Sequence, residues 1–245
     1  MRGLLLAVLV AAAICPGAAQ ELPAFRFHHL HLNDDRPPFL LEFYERLFDP
    51  ALTSRVVEGE SSGLRSGPML LLFGKGASDS SEPTALWHFG WGGVSLGETY
   101  LAHARREVAW EPPLPAGQLH LHLRSVTPGA AASWYRDTLG ARVELAQPPR
   151  DRRAALPPPE HRMPEALVWV GDTALLIYRT MPPLVSTRGK RADHIALACD
   201  NLDDALGVLR RRGIDIISEP ARRGRWRTAL VEGPDHLAIE LVEAP

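Results

Sequence analysis

An α+β fold of repeated βαβββ modules, paired into half-open barrels with the helices outside, is what this sequence predicts. Three observations carry that prediction. A histidine recurs in four short apolar segments of strand character, at residues 27–32, 86–91, 118–123 and 193–197. In three of them a helix position follows fifteen residues later: Tyr44 after His29, Tyr135 after His120 and Leu209 after His194. A turn then closes each helix, at Asp49, Gly140 and Gly213. Self-similarity of this kind marks one supersecondary unit used several times.

The first unit reads as a strand over 25–32, a helix over 38–48 begun by Pro37 and Pro38, and strands near 52–57 and 69–73. A Ser- and Gly-rich linker covers 74–83. The second unit has a strand around His88 and a helix over 96–108, with Tyr100, Leu101, Ala104 and Val108 on one stripe. Trp110-Glu111-Pro112-Pro113 ends it, so this unit reads as truncated. The third unit, 118–180, has a helix over 129–139 stopped by Gly140, then strands at 141–145, 166–170 and 174–178. Gly171-Asp172 joins the last two, and the Pro- and Arg-rich stretch 148–164 reads as a long loop suited to a lid. The fourth unit, 192–242, has a helix over 202–212 and strands at 215–218, 228–232 and 236–242. In sequence order this gives an N-terminal lobe over 20–116, with one full and one truncated module, and a C-terminal lobe over 117–245 with two.

Alternation decides where the histidines point, because successive strand side chains face opposite sides. Leu119, Leu121 and Leu123 share one face, and His120 and His122 the other. Leu30 and Leu32 likewise oppose His29 and His31, and Ile195 and Leu197 oppose His194 and Ala196. The apolar face suits the following helix, leaving the histidine face for solvent or a cavity.

Composition is that of an ordinary globular chain: 245 residues, 45% hydrophobic and 23% charged, long enough for a real core. A formal net charge of -2 gives no nucleic-acid footprint. Arg222, Arg223, Arg225 and Arg227 form a local basic run around Trp226, read as solvated surface or as an anion or substrate contact. Residues 1–19 read as a signal peptide: Arg2, an apolar stretch from Leu4 to Ile14 too short to span a bilayer, then Pro16 and the cleavage sequence Gly17-Ala18-Ala19. Export to the periplasm or beyond is expected, with no membrane contact after cleavage. Cys199 is then the sole cysteine, so stability rests on packing.

The last strand of the fourth unit carries Glu240 on the face opposite Leu237, Ile239 and Leu241. A carboxylate in an apolar strand is costly unless paired or metal-bound. His120, His194 and Glu240 are therefore the expected metal set. Two imidazoles and one carboxylate with open positions suit Fe(II), favoured here, and also Zn(II), Mn(II) or Ni(II). Tyr178 is open to two readings, a weak fourth ligand or proton donor and a core tyrosine. His122 is open to two as well, an acid/base or orienting group and a wall residue.

Repeated βαβββ units, a first-strand histidine in each, and Glu232-Gly233-Pro234-Asp235 before a strand holding Ile239-Glu240-Leu241 resemble the vicinal oxygen chelate superfamily. That superfamily includes glyoxalase I, bleomycin-resistance proteins and extradiol dioxygenases. The resemblance implies paired modules around a divalent metal, with His120, His194 and Glu240 as ligands and Tyr178 at the remaining position. The His, His, Glu set is closer to the dioxygenases than to a four-ligand glyoxalase. His236 replaces the usual glycine, and Phe73 occupies the corresponding position in the first unit. The expected function is metal-dependent chemistry, dioxygenase-like or glyoxalase/isomerase-like, on a small oxygenated substrate. The alternatives are a metal-free small-molecule binding or resistance protein, and a structural protein. The incomplete N-terminal lobe needs a cover, supplied by the C-terminal lobe or, as favoured, by a homodimer.

Overall fold

Hydrogen bonding between the modules' first strands decides the architecture. The computed structural model describes residues 22–48, 50–59, 61–76, 82–91, 118–146 and 163–243. The expected signal peptide, the second-unit helix and nearly all of the 148–164 loop lie outside them. The first module comprises β1 (Arg26–Asp34), α1 (Pro37–Glu45), β2 (Thr53–Glu58), β3 (Ser61–Ser66) and β4 (Met69–Lys75). β5 (Leu86–Trp91) stands for the second. The third has β6 (Leu119–Ser125), α2 (Pro128–Leu139), β7 (Arg142–Ala146), β8 (Ala166–Val170) and β9 (Thr173–Arg179). The fourth has β10 (Ala192–Cys199), α3 (Leu202–Arg211), β11 (Ile216–Arg223), β12 (Trp226–Glu232) and β13 (Ala238–Glu243). No helix among the described residues is long and apolar enough to cross a membrane.

Two mixed sheets result. One has eight strands in the order β11-β12-β13-β10-β1-β4-β3-β2, the other five in the order β5-β6-β9-β8-β7. Antiparallel pairing of β1 with β10 joins the first module to the fourth, and that of β5 with β6 joins the second to the third. The pairing is nested, outer with outer and inner with inner, rather than in sequence order as expected. Alternation specifies which face a strand buries but not which free edge it meets, so the repeat alone leaves the partner open. The first strand of the truncated unit, β5, pairs with β6 of the same chain on one side and ends the five-stranded sheet among the described residues.

Each helix buries the residue fifteen positions after its histidine, and Tyr44, Tyr135 and Leu209 all sit in one apolar core shared by both sheets. Tyr44 stacks on Phe73 at 5.8 Å and meets Phe89 of the other sheet at 5.8 Å. Gly140 ends α2 in the left-handed region, and Asn201 Oδ1 accepts the Asp204 N–H at 3.0 Å to start α3. The histidine faces turn away from this core. On the eight-stranded sheet that face has an apolar floor of Leu70, Leu72, Ala196, Trp226 and Val242. The two ends of this sheet curl together at their hairpin tips, where Glu58 takes the Arg225 guanidinium and Gly59 touches Gly224.

A fragment spanning 117–245 lacks both β1 and β5, and with them a neighbour for β10 and for β6. Expressed alone it is expected to lose cooperative thermal unfolding and to bind hydrophobic dye. A monomeric fragment with a sharp transition would overturn the nested pairing.

Candidate metal centre

Two irregularities in the β1–β10 seam build the site. The register shifts between Phe27 and His29, which brings His28 round beside His29, their Nδ1 atoms 2.8 Å apart. It shifts again between His31 and Leu32, setting Asp193 beside His194, whose Nδ1 donates to Asp193 Oδ1 at 2.6 Å. His31 pairs with His194 across the seam, and their rings stack at 4.6 Å. Trp226 supports His29 from below, stacked at 5.7 Å.

Glu240 arrives from β13, in register with the small Ala196 of β10. Its Oε2 lies 3.4 Å from His29 Nε2 and 3.6 Å from His194 Nε2. One ring nitrogen each of His29, His31 and His194 falls within 4.8 Å of the others. His29 Nε2 and His194 Nε2 are buried and have no hydrogen-bond partner among the described residues. Donors about 2.1 Å from one ion stand about 3.0–3.4 Å apart in octahedral or tetrahedral geometry, close to the spacing here. The donor set, imidazoles plus one carboxylate, fits a first-row divalent metal.

Burial, reinforced by the neighbouring imidazoles, pulls His29 well below the ordinary histidine value and His31 down to about 4. Burial also works against a charged His194. The Asp193 and Glu240 carboxylates outweigh it and hold His194 up at about 9. Burial opposes ionisation of Glu240, yet His194 and Thr228 keep it below its usual value. The protonated His194 ring thus sits between two carboxylates, Asp193 at Nδ1 and Glu240 on the Nε2 side.

His120, His122 and Tyr178 do not join this centre. They stand together on the five-stranded sheet, with His88. His120 pairs with Gly90 and Ala174, and His122 with His88 and Leu176. A Cβ at Gly90 would lie 2.6 Å from His120 Nε2, so this ring needs a glycine opposite. His88 and His122 stack at 4.0 Å and His122 stacks on Tyr178 at 5.5 Å. Parallel rings send their in-plane lone pairs side by side instead of to one point. None of the three histidines has a carboxylate partner among the described residues. Of the three expected ligands the structure brings His194 and Glu240 together and leaves His120 apart, with His29 beside them instead, because β10 meets β1 and not β6.

Register also relocates the last-strand position. Glu240 faces the residue two after His194; the matching residues are Leu72, opposite His31, and Leu176, opposite His122. Neither Phe73 nor Tyr178 is the counterpart. Phe73 lies in the core, and Tyr178 pairs with Arg124, two residues beyond the Leu176–His122 pair. His29 had a signal, its place in the repeat. So had Asp193, directly before His194. His31 had only its alternation.

The sequence profile of the Glyoxalase/Bleomycin resistance protein/Dioxygenase superfamily matches residues 117–241. Glyoxalase I from Zea mays is similar in structure, with a TM-score of 0.57 and 13% identity over 89% of this chain and 92% of that one. A mutant of that enzyme gives a TM-score of 0.59 and 14% identity over 89% and 92%. An antibiotic binding protein from a Streptomyces species matches with 18% identity over 55% of this chain and 100% of that one; its TM-score of 0.38 carries no argument. No curated protein matches the sequence. At these identities the likeness shows the fold.

Burial, joined by charge repulsion from neighbouring groups, lowers His88 to about 3 and His122 well below normal; burial alone lowers His120 to about 4. Neutral when folded, they take protons near their ordinary value once unfolded. Their stabilisation is present above about pH 6.5 and is lost as pH falls toward the folded values. Between pH 7 and 5 each is expected to destabilise the metal-free fold by roughly 2 kcal/mol. Thermal melts across that range should show a falling Tm, with a shallower slope in His122→Phe. A flat profile would mean these rings are wet.

Proposed function

This chain belongs to the glyoxalase/bleomycin resistance protein/dioxygenase superfamily, and we propose that it is an exported protein that uses one divalent metal to act on a small oxygenated substrate. The observation that supports this reading is the convergence of His29, His194 and Glu240 from three neighbouring strands beside a cavity of about 630 Å³. That volume is in the small-molecule range of about 300–1,000 Å³.

His29, His194 and Glu240 would hold the ion, and Fe(II) suits them best, with Zn(II), Mn(II) and Ni(II) also compatible. When bound, the metal supplies a Lewis acid that polarises two adjacent substrate oxygens. Asp193 fixes the tautomer of His194 by accepting its Nδ1 proton, which turns Nε2 toward Glu240. His31, neutral at physiological pH, lines the cavity and is placed to take a proton from a bound substrate. The apolar floor under the histidines limits water around the reacting oxygens. The same arrangement of residues would suit isomerisation or oxygenation of such a substrate. A metal-free binding protein is the second reading, supported by the 3.6 Å approach of His194 Nε2 to Glu240, which partly offsets both charges without a cation. The signal peptide over 1–19 and a homodimer belong to the same proposal.

Metal analysis of the purified protein is expected to give about one divalent ion per chain. Alanine at His29, His194 or Glu240 should weaken uptake by more than the 10–100-fold typical of a supporting residue, while His120→Ala leaves it intact. Affinity should rise with pH, because His194 must release its proton to bind. Equal uptake by wild type and His29→Ala would sink the assignment.

A further inference from the structure

We infer that Arg188 and Arg223 form a clamp for a carboxylate, so that the ligand of this site is a small carboxylic acid that also carries two adjacent oxygens. This rests on the metal-centre reading above and adds the substrate class to it. Both arginines line the same cavity as His31, His194 and Asp193.

Several neighbouring arginines are already committed. Arg225 is taken by Glu58, and Arg227 by Asp203 and Glu243. Arg210 is taken by Glu219, and Arg26 by Asp200. Arg188 and Arg223 make no ion pair among the described residues, although both face a cavity.

Their backbones are held firmly. Thr187 is fully buried; its N–H donates to the His236 carbonyl at 3.2 Å and its Oγ1 accepts the Ala238 N–H at 2.9 Å. The Gly189 N–H donates to Asp193 Oδ2 at 2.6 Å. Arg188, between them, therefore extends from a short segment anchored to β13 on one side and to the metal centre's own carboxylate on the other. Arg223 ends β11, paired with Trp226, whose ring lies against His29. Its charge is felt at both His31 and Glu240. The two arginines thus line the cavity from separate elements.

Charge balance selects the ligand. A divalent ion is neutralised by Glu240 and Asp193 when the three imidazoles are neutral. Arg188 and Arg223 then leave two positive charges facing the cavity. A carboxylate together with one ionised chelating oxygen matches them. A phosphate monoester with the same oxygen would carry one negative charge too many. Guanidinium forks bind carboxylates bidentately, and a charge-assisted contact of this kind contributes about 1.5–3 kcal/mol.

The test compares catechol with 3,4-dihydroxybenzoate, which differ only in the carboxylate, on the Zn(II)-loaded protein by calorimetry. The carboxylate probe is expected to bind about tenfold or more tighter in the wild type. Arg188→Gln and Arg223→Gln should each reduce that preference several-fold, and the double variant should abolish it, with zinc content retained and catechol weakened far less than 3,4-dihydroxybenzoate. Equal binding of the two probes by the wild type, or a preference that survives in the double variant, overturns the clamp and leaves the metal centre standing. If the protein takes up no zinc, the metal reading falls and benzoate is titrated into the metal-free protein instead. Saturable benzoate binding lost in the double variant then supports the clamp, and its absence overturns it.

Discussion

The antiparallel seam between β1 and β10 is the constraint on which the rest depends. It joins residues near opposite ends of the described chain, pairing Arg26 with Ala198 and Leu32 with Ala192. Closing so long a loop is costly in entropy, though the cost grows only slowly with length. What offsets it is the shared core, in which Leu30 and Leu32 of β1 and Ile195 and Leu197 of β10 lie together. The seam is also specific. Asn33 Nδ2 donates to Asp193 Oδ2 at 2.7 Å and to the Lys190 carbonyl at 3.2 Å. A one-residue slip would break these bonds and turn every histidine into the core.

Nested pairing produces two histidine faces with different fates. Both begin from the same repeat, and only one receives a carboxylate. Glu240 gives the eight-stranded face an anion to organise around, while Leu72 and Leu176 hold the matching positions on β4 and β9. The five-stranded face is filled instead by Trp87, Leu167, Leu176 and Tyr178 with the stacked histidines. One leucine-for-glutamate difference in a repeated frame separates a face with a buried carboxylate among its imidazoles from a wall of stacked rings.

Much of this was legible in the residues. The repeat located the modules, alternation gave the facing of His29, His120, His194 and Glu240, and the positions fifteen residues on gave the helix residues that fill the core. The partner of β10 was not legible, because each module's first strand offers an equivalent edge. Nor were the bulges, which set His28 beside His29 and Asp193 beside His194 against strict alternation. β3 escaped because Ser61-Ser62-Gly63-Leu64-Arg65-Ser66 has no apolar period. Gly63 explains part of that: a Cβ there would lie 2.3 Å from the Leu71 carbonyl oxygen, so close strand packing replaces the side-chain signal.

Asp193 shows how much rests on one irregular residue. Its Oδ1 orients His194, and its Oδ2 receives both Asn33 across the seam and the Gly189 N–H of the segment bearing Arg188. Burial disfavours its charge, yet these contacts keep it ionised below the ordinary carboxylate value. The carboxylate therefore joins strand pairing, ligand orientation and the cavity rim in one hydrogen-bonded unit. A regular strand would turn Asp193 to the opposite face from His194, and none of the three connections would form. The bulge is thus what allows the strand pairing, the His194 ring and the 187–189 segment at the cavity rim to share a single anion.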